Sequence, residues 1–341
     1  MKKVPCIVFP LLLLSAGIQA QTPQAAMRQK MIDSIKMAMI GEYAKTYPIL
    51  RQVIVYNDFI GTTRSYTDYQ KNRVLSGKLL TDRTQALVNL PLAAWKKNVI
   101  NLNMNYSHQY IRYTDRELLD RPVPEAAPNQ DLHTNTYGAS LSWAHTDSLL
   151  GLPISTSLTA NALTGKSNAI QKFSVMGNFV FTLKRTATTA IAVGGVVLID
   201  PSLNVPFIPV FSYWHRFPGK LELIIDLPQR AVLRRAFNHK CWATLGTEIA
   251  SSVAFLNLSP WQLPQETNFS TFELKNGITF EHILSRKMIA GISAGVFTTV
   301  SSRLFSIDQK SNDYFISNKN NATPYLNVSL SFLPFTKALI R

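Results

Sequence analysis

The stretch Asn98-Val99-Ile100-Asn101-Leu102-Asn103-Met104-Asn105-Tyr106-Ser107-His108-Gln109-Tyr110-Ile111 changes character at every residue. Ile100, Leu102, Met104, Tyr106 and Tyr110 share one parity, and Asn101, Asn103, Asn105, Ser107 and Gln109 share the other. A period of two places successive side chains on opposite faces of an extended strand. A soluble sandwich and a membrane barrel both show that alternation, so the chemistry of each face has to decide. Here the polar face is built of carboxamides and hydroxyls rather than the Lys and Glu of an open surface. That suits a wet but enclosed lumen. The whole chain is only 16% charged, against about 25% in ordinary soluble domains.

The pattern recurs at 154–162, 172–184 and 326–332. Each run approaches the roughly 9–11 residues that a tilted membrane-spanning strand needs. Long and short connections alternate, as they do in bacterial barrels. The alternation holds only if residues 220–237 form two strands. Folding about Pro228 pairs Asp226 with Arg230 and Glu222 with Arg234; folding about His239 pairs Arg230 with Glu248 and Leu233 with Leu245. Opposite charges then meet on one face and apolar groups on the other. The sequence therefore predicts an all-β, antiparallel transmembrane barrel of about fourteen strands, with twelve as the alternative count. The expected strands lie near 51–59, 79–90, 98–112, 134–145, 153–163, 171–184, 188–199, 206–215, 220–227, 230–237, 241–254, 270–283, 288–301 and 323–333. An even number leaves both ends of the chain on the periplasmic side.

Ahead of the strands, residues 1–20 read as a secretory signal: Lys2-Lys3, an apolar run to Leu14, and the small-residue exit Ser15-Ala16-Gly17-Ile18-Gln19-Ala20. Residues 21–50 read as a short periplasmic or plug segment, helical over 24–46, where Met27, Met31, Ile35, Met39 and Tyr43 recur about once per turn. Pro48 ends that period, and the barrel follows over 51–335. Past residue 21 no apolar run reaches the roughly 20 residues of a spanning helix. The net charge of +15 can mark nucleic-acid binding. In an exported chain it reads instead as a solvated basic periplasmic segment and basic loops. Cys241 is the sole cysteine beyond the signal, which excludes an intramolecular disulfide. The expected surroundings are the cell outer membrane, its lipid bilayer, the barrel assembly machinery, and a small-molecule or lipid cargo.

Several short motifs resemble Bacteroidota outer-membrane β-barrel proteins of unknown function. They are Gln-Ala-Gln-Thr at 19–22, Arg83-Thr84-Gln85 leading to Leu90-Pro91-Leu92 and Trp95-Lys96-Lys97-Asn98, and Phe217-Pro218-Gly219-Lys220 followed by Leu227-Pro228-Gln229-Arg230. The resemblance spans 79–333 and implies a barrel, with no catalytic residues to carry over. Many barrels end on an aromatic residue read by the insertion machinery, whereas Phe335 is followed here by six further residues.

The strongest polar constellation is the ladder Glu222, Asp226, Arg230, Arg234 and Glu248, expected to face the lumen on three adjacent strands. It reads either as a constriction that selects a solute or as a charge-paired filling of the interior. Glu273, Lys275 and Glu281 continue that face. The histidines show no metal-ligand spacing, and Ser107–His108 and Ser142–His145 fall on opposite faces, so no catalytic, cofactor or metal site is expected. His108 with Tyr106, Tyr110 and Tyr113, and Trp143, Trp214 and Trp242, read as interfacial aromatic belts. The leading expectation is a passive pore or transporter for small or apolar solutes. A structural barrel docking periplasmic partners and a lipid-modifying enzyme are the alternatives.

Overall fold

The computed structural model describes residues 23–119, 130–166, 168–200, 202, 206–256 and 266–336. The expected signal segment lies outside them. A helix, α1 (Pro23–Thr46), and one 3-10 turn at Pro48–Leu50 precede strands that all run antiparallel to their neighbours. These are β1 (Val53–Tyr69), β2 (Asn72–Trp95), β3 (Asn98–Leu118), β4 (Gln130–Leu149), β5 (Leu152–Thr164), β6 (Lys172–Arg185) and β7 (Thr189–Ile199). Then come β8 (Phe207–Arg216), β9 (Leu221–Leu227), β10 (Arg230–Ala236), β11 (Cys241–Leu256), β12 (Thr267–Ile283) and β13 (Met288–Ser306). Two collinear pieces, β14 (Ile316–Asn320) and β15 (Thr323–Phe332), lie between β13 and β1 and act as one stave. Val53 opposite Phe332 closes the sheet on itself. The result is a closed barrel of fourteen staves, as the face chemistry and connection parity predict. Closure removes the unpaired strand edges that lipid does not tolerate.

Val53 and Phe332 define a terminal rim, which also carries the short turns at 96–97, 150–151 and 186–188. The longer connections gather at the opposite, far rim. The wall there is taller than the alternation suggests. β1 and β2 continue past 60–78 to a two-residue turn at Gln70-Lys71, both residues with positive φ. That turn lacks the Asn-Gly signature by which such hairpins are usually read, and the added strand loses the regular apolar–polar alternation.

The charge arithmetic about Pro228 and His239 matches the observed register: Asp226↔Arg230, Glu222↔Arg234, Arg230↔Glu248 and Leu233↔Leu245. This hairpin is also the low point of the wall. β9 and β10 hold seven residues each, so β8 stands clear of β9 beyond Phe211, and β11 stands clear of β10 beyond Glu248. Freed from that neighbour, the far half of β11 leans across the lumen and packs on β4. There Thr136 Oγ1 donates to the Val253 carbonyl at 3.1 Å.

Outside, apolar side chains including Met104, Leu141, Leu158, Leu245, Ile278 and Val296 stand exposed, as lipid contact requires. Trp95, Trp143, Phe237 and Phe280 ring the terminal side. Tyr106, Tyr110, Tyr137, His108 and His133 stack on one another farther up the wall. Three belt assignments need correction. Tyr113 points inward and donates to the Ser65 carbonyl. Trp242 is 1% exposed and packs inside on Ala44, Ile289 and Leu333. Trp214 shares the inward parity of Ser212 and Arg216, with the Arg216 guanidinium over its ring. Strand-end position suggested a belt, but side-chain parity decides the face.

Candidate functional site: the divided lumen

The five ladder residues lie together on the inner faces of β9, β10 and β11, but they are not equivalent. Arg234 donates to Glu222 Oε2 at 3.1 Å, and Arg216 from β8 donates to Glu222 Oε1 at 2.9 Å. Arg230 donates to Asp226 Oδ2 at 3.1 Å, and Ser212 donates to Asp226 Oδ1 at 2.7 Å. The four inner charges of the hairpin are thus paired off, which removes most of the cost of enclosing them. Glu248 stands apart from this pairing, solvent-accessible within the lumen.

A second set of charges crosses the barrel: Glu273 and Lys275, read from the sequence as continuing the ladder's face, pair with Arg83 and Asp58, which the sequence did not single out. Arg83 on β2 grips Glu273 on β12 through both terminal nitrogens at 2.8 Å, with the two side chains 4% and 2% exposed. Lys275 donates to Asp58 Oδ2 at 2.6 Å, and Asn327 donates to Asp58 Oδ1 at 2.8 Å. The chain of contacts continues through Thr271 to Glu273 (2.6 Å), Ser252 with Thr271 (3.1 Å) and Gln109 to Ser252 (2.9 Å). It therefore runs from β2 through β12 and β11 to β3. Bidentate Arg–carboxylate pairing is geometrically strict as well as strong, so this layer is a rigid septum. Asp58 and Arg83 face each other across the β1–β2 hairpin. The arithmetic that found the ladder would have found them, had the turn at Gln70-Lys71 been visible and two register shifts not intervened.

Among the described residues, the septum and the leaning half of β11 separate three sizeable spaces. A far space of about 290 Å³ lies beyond Arg83 and Glu273, bordered by Ile60, Gln109, Tyr113 and Leu304. A second, of about 420 Å³, lies among the ladder, Lys275 and Glu281. The largest, about 1130 Å³, runs along β2, β3 and β4 from the terminal rim up to Thr136 and Ser252. Its lining carries amides and hydroxyls from Asn101, Asn103, Asn105, Ser107 and Ser140, set among a larger apolar area that includes Met37, Ile40, Leu50, Leu87, Pro91 and Leu163. Among the described residues its only charged lining side chain is Lys96, in the β2–β3 turn.

The segment after α1 is fastened across the terminal rim. Arg51 Nε donates to the Ala44 carbonyl at 3.1 Å, while its Nη1 reaches Glu281 and Ser331. Asn89 donates to the Arg51 carbonyl at 2.6 Å. The Arg230 guanidinium sits 5.0 Å from the Tyr47 ring centre. Ala44 is fully buried against Trp242. Residues 43–52 therefore floor the ladder space, and Met37 and Ile40 border the large chamber. Met27, Met31, Ile35 and Met39 are exposed.

On the outer face, His108 Nδ1 lies 3.0 Å from Asn135 Oδ1, and His145 Nδ1 lies 2.9 Å from Asn98 Oδ1. Cys241 Sγ and His282 Nδ1 are 2.7 Å apart near the terminal rim. Among the described residues no group of three His, Cys, Asp or Glu side chains is placed to hold a metal.

No protein-family model matches the sequence. No curated protein matches it either. Solved structures it resembles include an outer membrane channel from Pseudomonas putida F1, at 10% identity and TM-score 0.34 over 83% of this chain and 96% of that one. A Pseudomonas aeruginosa FadL homologue aligns at 10% identity and TM-score 0.36, covering 82% and 89%. The translocator domain of the autotransporter NalP from Neisseria meningitidis aligns at 7% identity and TM-score 0.28, covering 92% and 98%. The closed antiparallel wall, apolar outside and polar within, is that of an outer-membrane β-barrel. A fold of this class does not fix a function, which must be read from the lumen itself.

Proposed function

We propose that this protein is a passive outer-membrane transporter for small uncharged solutes, with its terminal rim in the periplasm. The observation that carries the reading is the 1130 Å³ chamber, whose wall is held open by the barrel and lined almost wholly by neutral groups. A barrel built only as a scaffold has no need of such a space. Close packing fills an interior unless something keeps it open. The cross-barrel septum and the floor made by residues 43–52 mark this as a resting state. Passage requires β11 to swing from β4, or the segment after α1 to loosen. Lipids of the bilayer contact the apolar belt, and the barrel assembly machinery inserts the chain.

The test is reconstitution into liposomes. Full-length protein should pass small neutral solutes slowly, and a variant lacking residues 23–40, which keeps the anchors Ala44 and Arg51, should pass them several-fold faster. Absence of flux from both forms, in samples whose unboiled gel mobility shows a folded barrel, would overturn the reading. The exposed stripe Met27, Met31, Ile35 and Met39 favours a second reading, a scaffold whose helix docks a periplasmic partner. That reading predicts no flux from either form.

A further inference from the structure

The lumen is electrostatically divided. Most of its ion pairs lie on β1, β2 and β8 to β12, with Lys172–Asp200 at the far end of β6, whereas the large chamber presents only neutral groups along β3 and β4. Along β3, Asn101, Asn103 and Asn105 face the chamber at steps of two residues, about 6.7 Å apart along the strand. Asn101 and Asn103 are half-buried and Asn105 is exposed to the chamber, and none of the three carboxamides makes a hydrogen bond within the described protein, so each is free to meet a solute. Asn105 lies over Gly138 of β4, where an added Cβ would come within 2.0 Å of its Oδ1. A bare glycine thus makes the room that this amide occupies. Ser140, across from Asn103, is likewise unpartnered.

Each carboxamide offers one acceptor oxygen and two donor hydrogens. A row of them matches a molecule whose groups both donate and accept at short intervals, such as the hydroxyls of a sugar. Ions fare badly there, because a desolvated charge without a counter-charge is costly. An apolar solute would strand the amides. Resting on the transport reading above, we infer that the chamber binds an uncharged, polyhydroxylated ligand, a neutral saccharide or glycoside. Asn101, Asn103 and Asn105 select it.

The experiment uses the full chain in liposomes, with sucrose and maltotriose as neutral probes and glucuronate and glucosamine as charged ones. A small apolar alcohol serves as the third class. Neutral sugars should pass at least tenfold faster than either charged sugar, with saturation and mutual competition. The triple change Asn101→Leu, Asn103→Leu, Asn105→Leu should erase that preference. Asn103→Asp, which keeps the size and polarity of the wall, should slow glucuronate further and raise glucosamine flux several-fold. Gel mobility before boiling confirms that each variant is folded. Equal flux of neutral and charged sugars, or a preference unchanged in the folded Leu variant, overturns the saccharide assignment and leaves the transport reading standing. Absence of flux for every probe, including the form lacking residues 23–40, overturns both.

Discussion

Replacing Glu273 with Gln tests the septum most directly. The pair Arg83–Glu273 is almost wholly withdrawn from water, with both contacts at 2.8 Å, and Arg83 Nε has no partner of its own. The Gln variant retains the side chain's shape and can keep the Thr271 contact. The Arg83 guanidinium is left enclosed with an amide oxygen in place of a carboxylate. Removing one partner of a buried pair costs about 3–5 kcal/mol. The shape-conserving change belongs at the low end, about 3 kcal/mol, or somewhat over a hundredfold in the unfolding equilibrium. Arg83→Met should cost a similar amount, because it strands the carboxylate. The double variant Arg83→Met/Glu273→Met removes both charges and fills the space. It should therefore be less destabilised than either single variant, which implies a coupling well beyond about 0.5 kcal/mol. Urea unfolding in lipid vesicles, followed by tryptophan fluorescence and gel mobility, measures all three. If the double variant loses the sum of the single losses, the two side chains are energetically independent and the septum argument fails.

Four further outcomes follow from the same structure. Trp242→Ala should cost about 3–5 kcal/mol in the same unfolding assay, since it empties the cluster with Ala44, Ile289 and Leu333. It should also expose the segment after α1 to protease. Gly194→Val should abolish the heat-sensitive folded band, because even a Cβ there would meet the Phe179 carbonyl at 2.0 Å. Asp147→Asn, which breaks the exposed Lys97–Asp147 pair, should leave the unfolding midpoint essentially unchanged. Lys275→Met should destabilise far more than that, because it leaves the buried Asp58 carboxylate with only the Asn327 amide.

What the sequence made legible was local. Alternation along β3 and the charge match about Pro228 depend on neighbouring strands joined by short turns, so the register of β9, β10 and β11 could be read from residue arithmetic alone. The septum was hidden because Arg83 and Glu273 are 190 residues apart and meet only once the sheet closes. The extensions of β1 to β4 were hidden for a different reason. Beyond the lipid the outer face of a strand no longer needs apolar side chains, and Arg64, Asp68 and Arg73 then look like loop residues. Trp242 and Tyr113 were misassigned although their parity was available, because position along the strand was weighed above face. The inward lean of β11 has no local signature, since it depends on the absence of a tall neighbour.

The low β9–β10 hairpin also bears on the membrane around the protein. Seven residues span about 23 Å along a strand, or roughly 18 Å of height at a tilt near 40°. The apolar band of such barrels is about 25 Å tall. Acyl chains against Leu223, Ile225 and Leu233 therefore face a wall shorter than they are. The bilayer must thin on that side or admit water above Gln229, at a cost of fractions of a kcal/mol per Å of mismatch. Opposite, along β2 and β3, no such shortfall exists. The barrel thus imposes a sloped boundary on its lipids, and lateral neighbours in the membrane meet two energetically different sides.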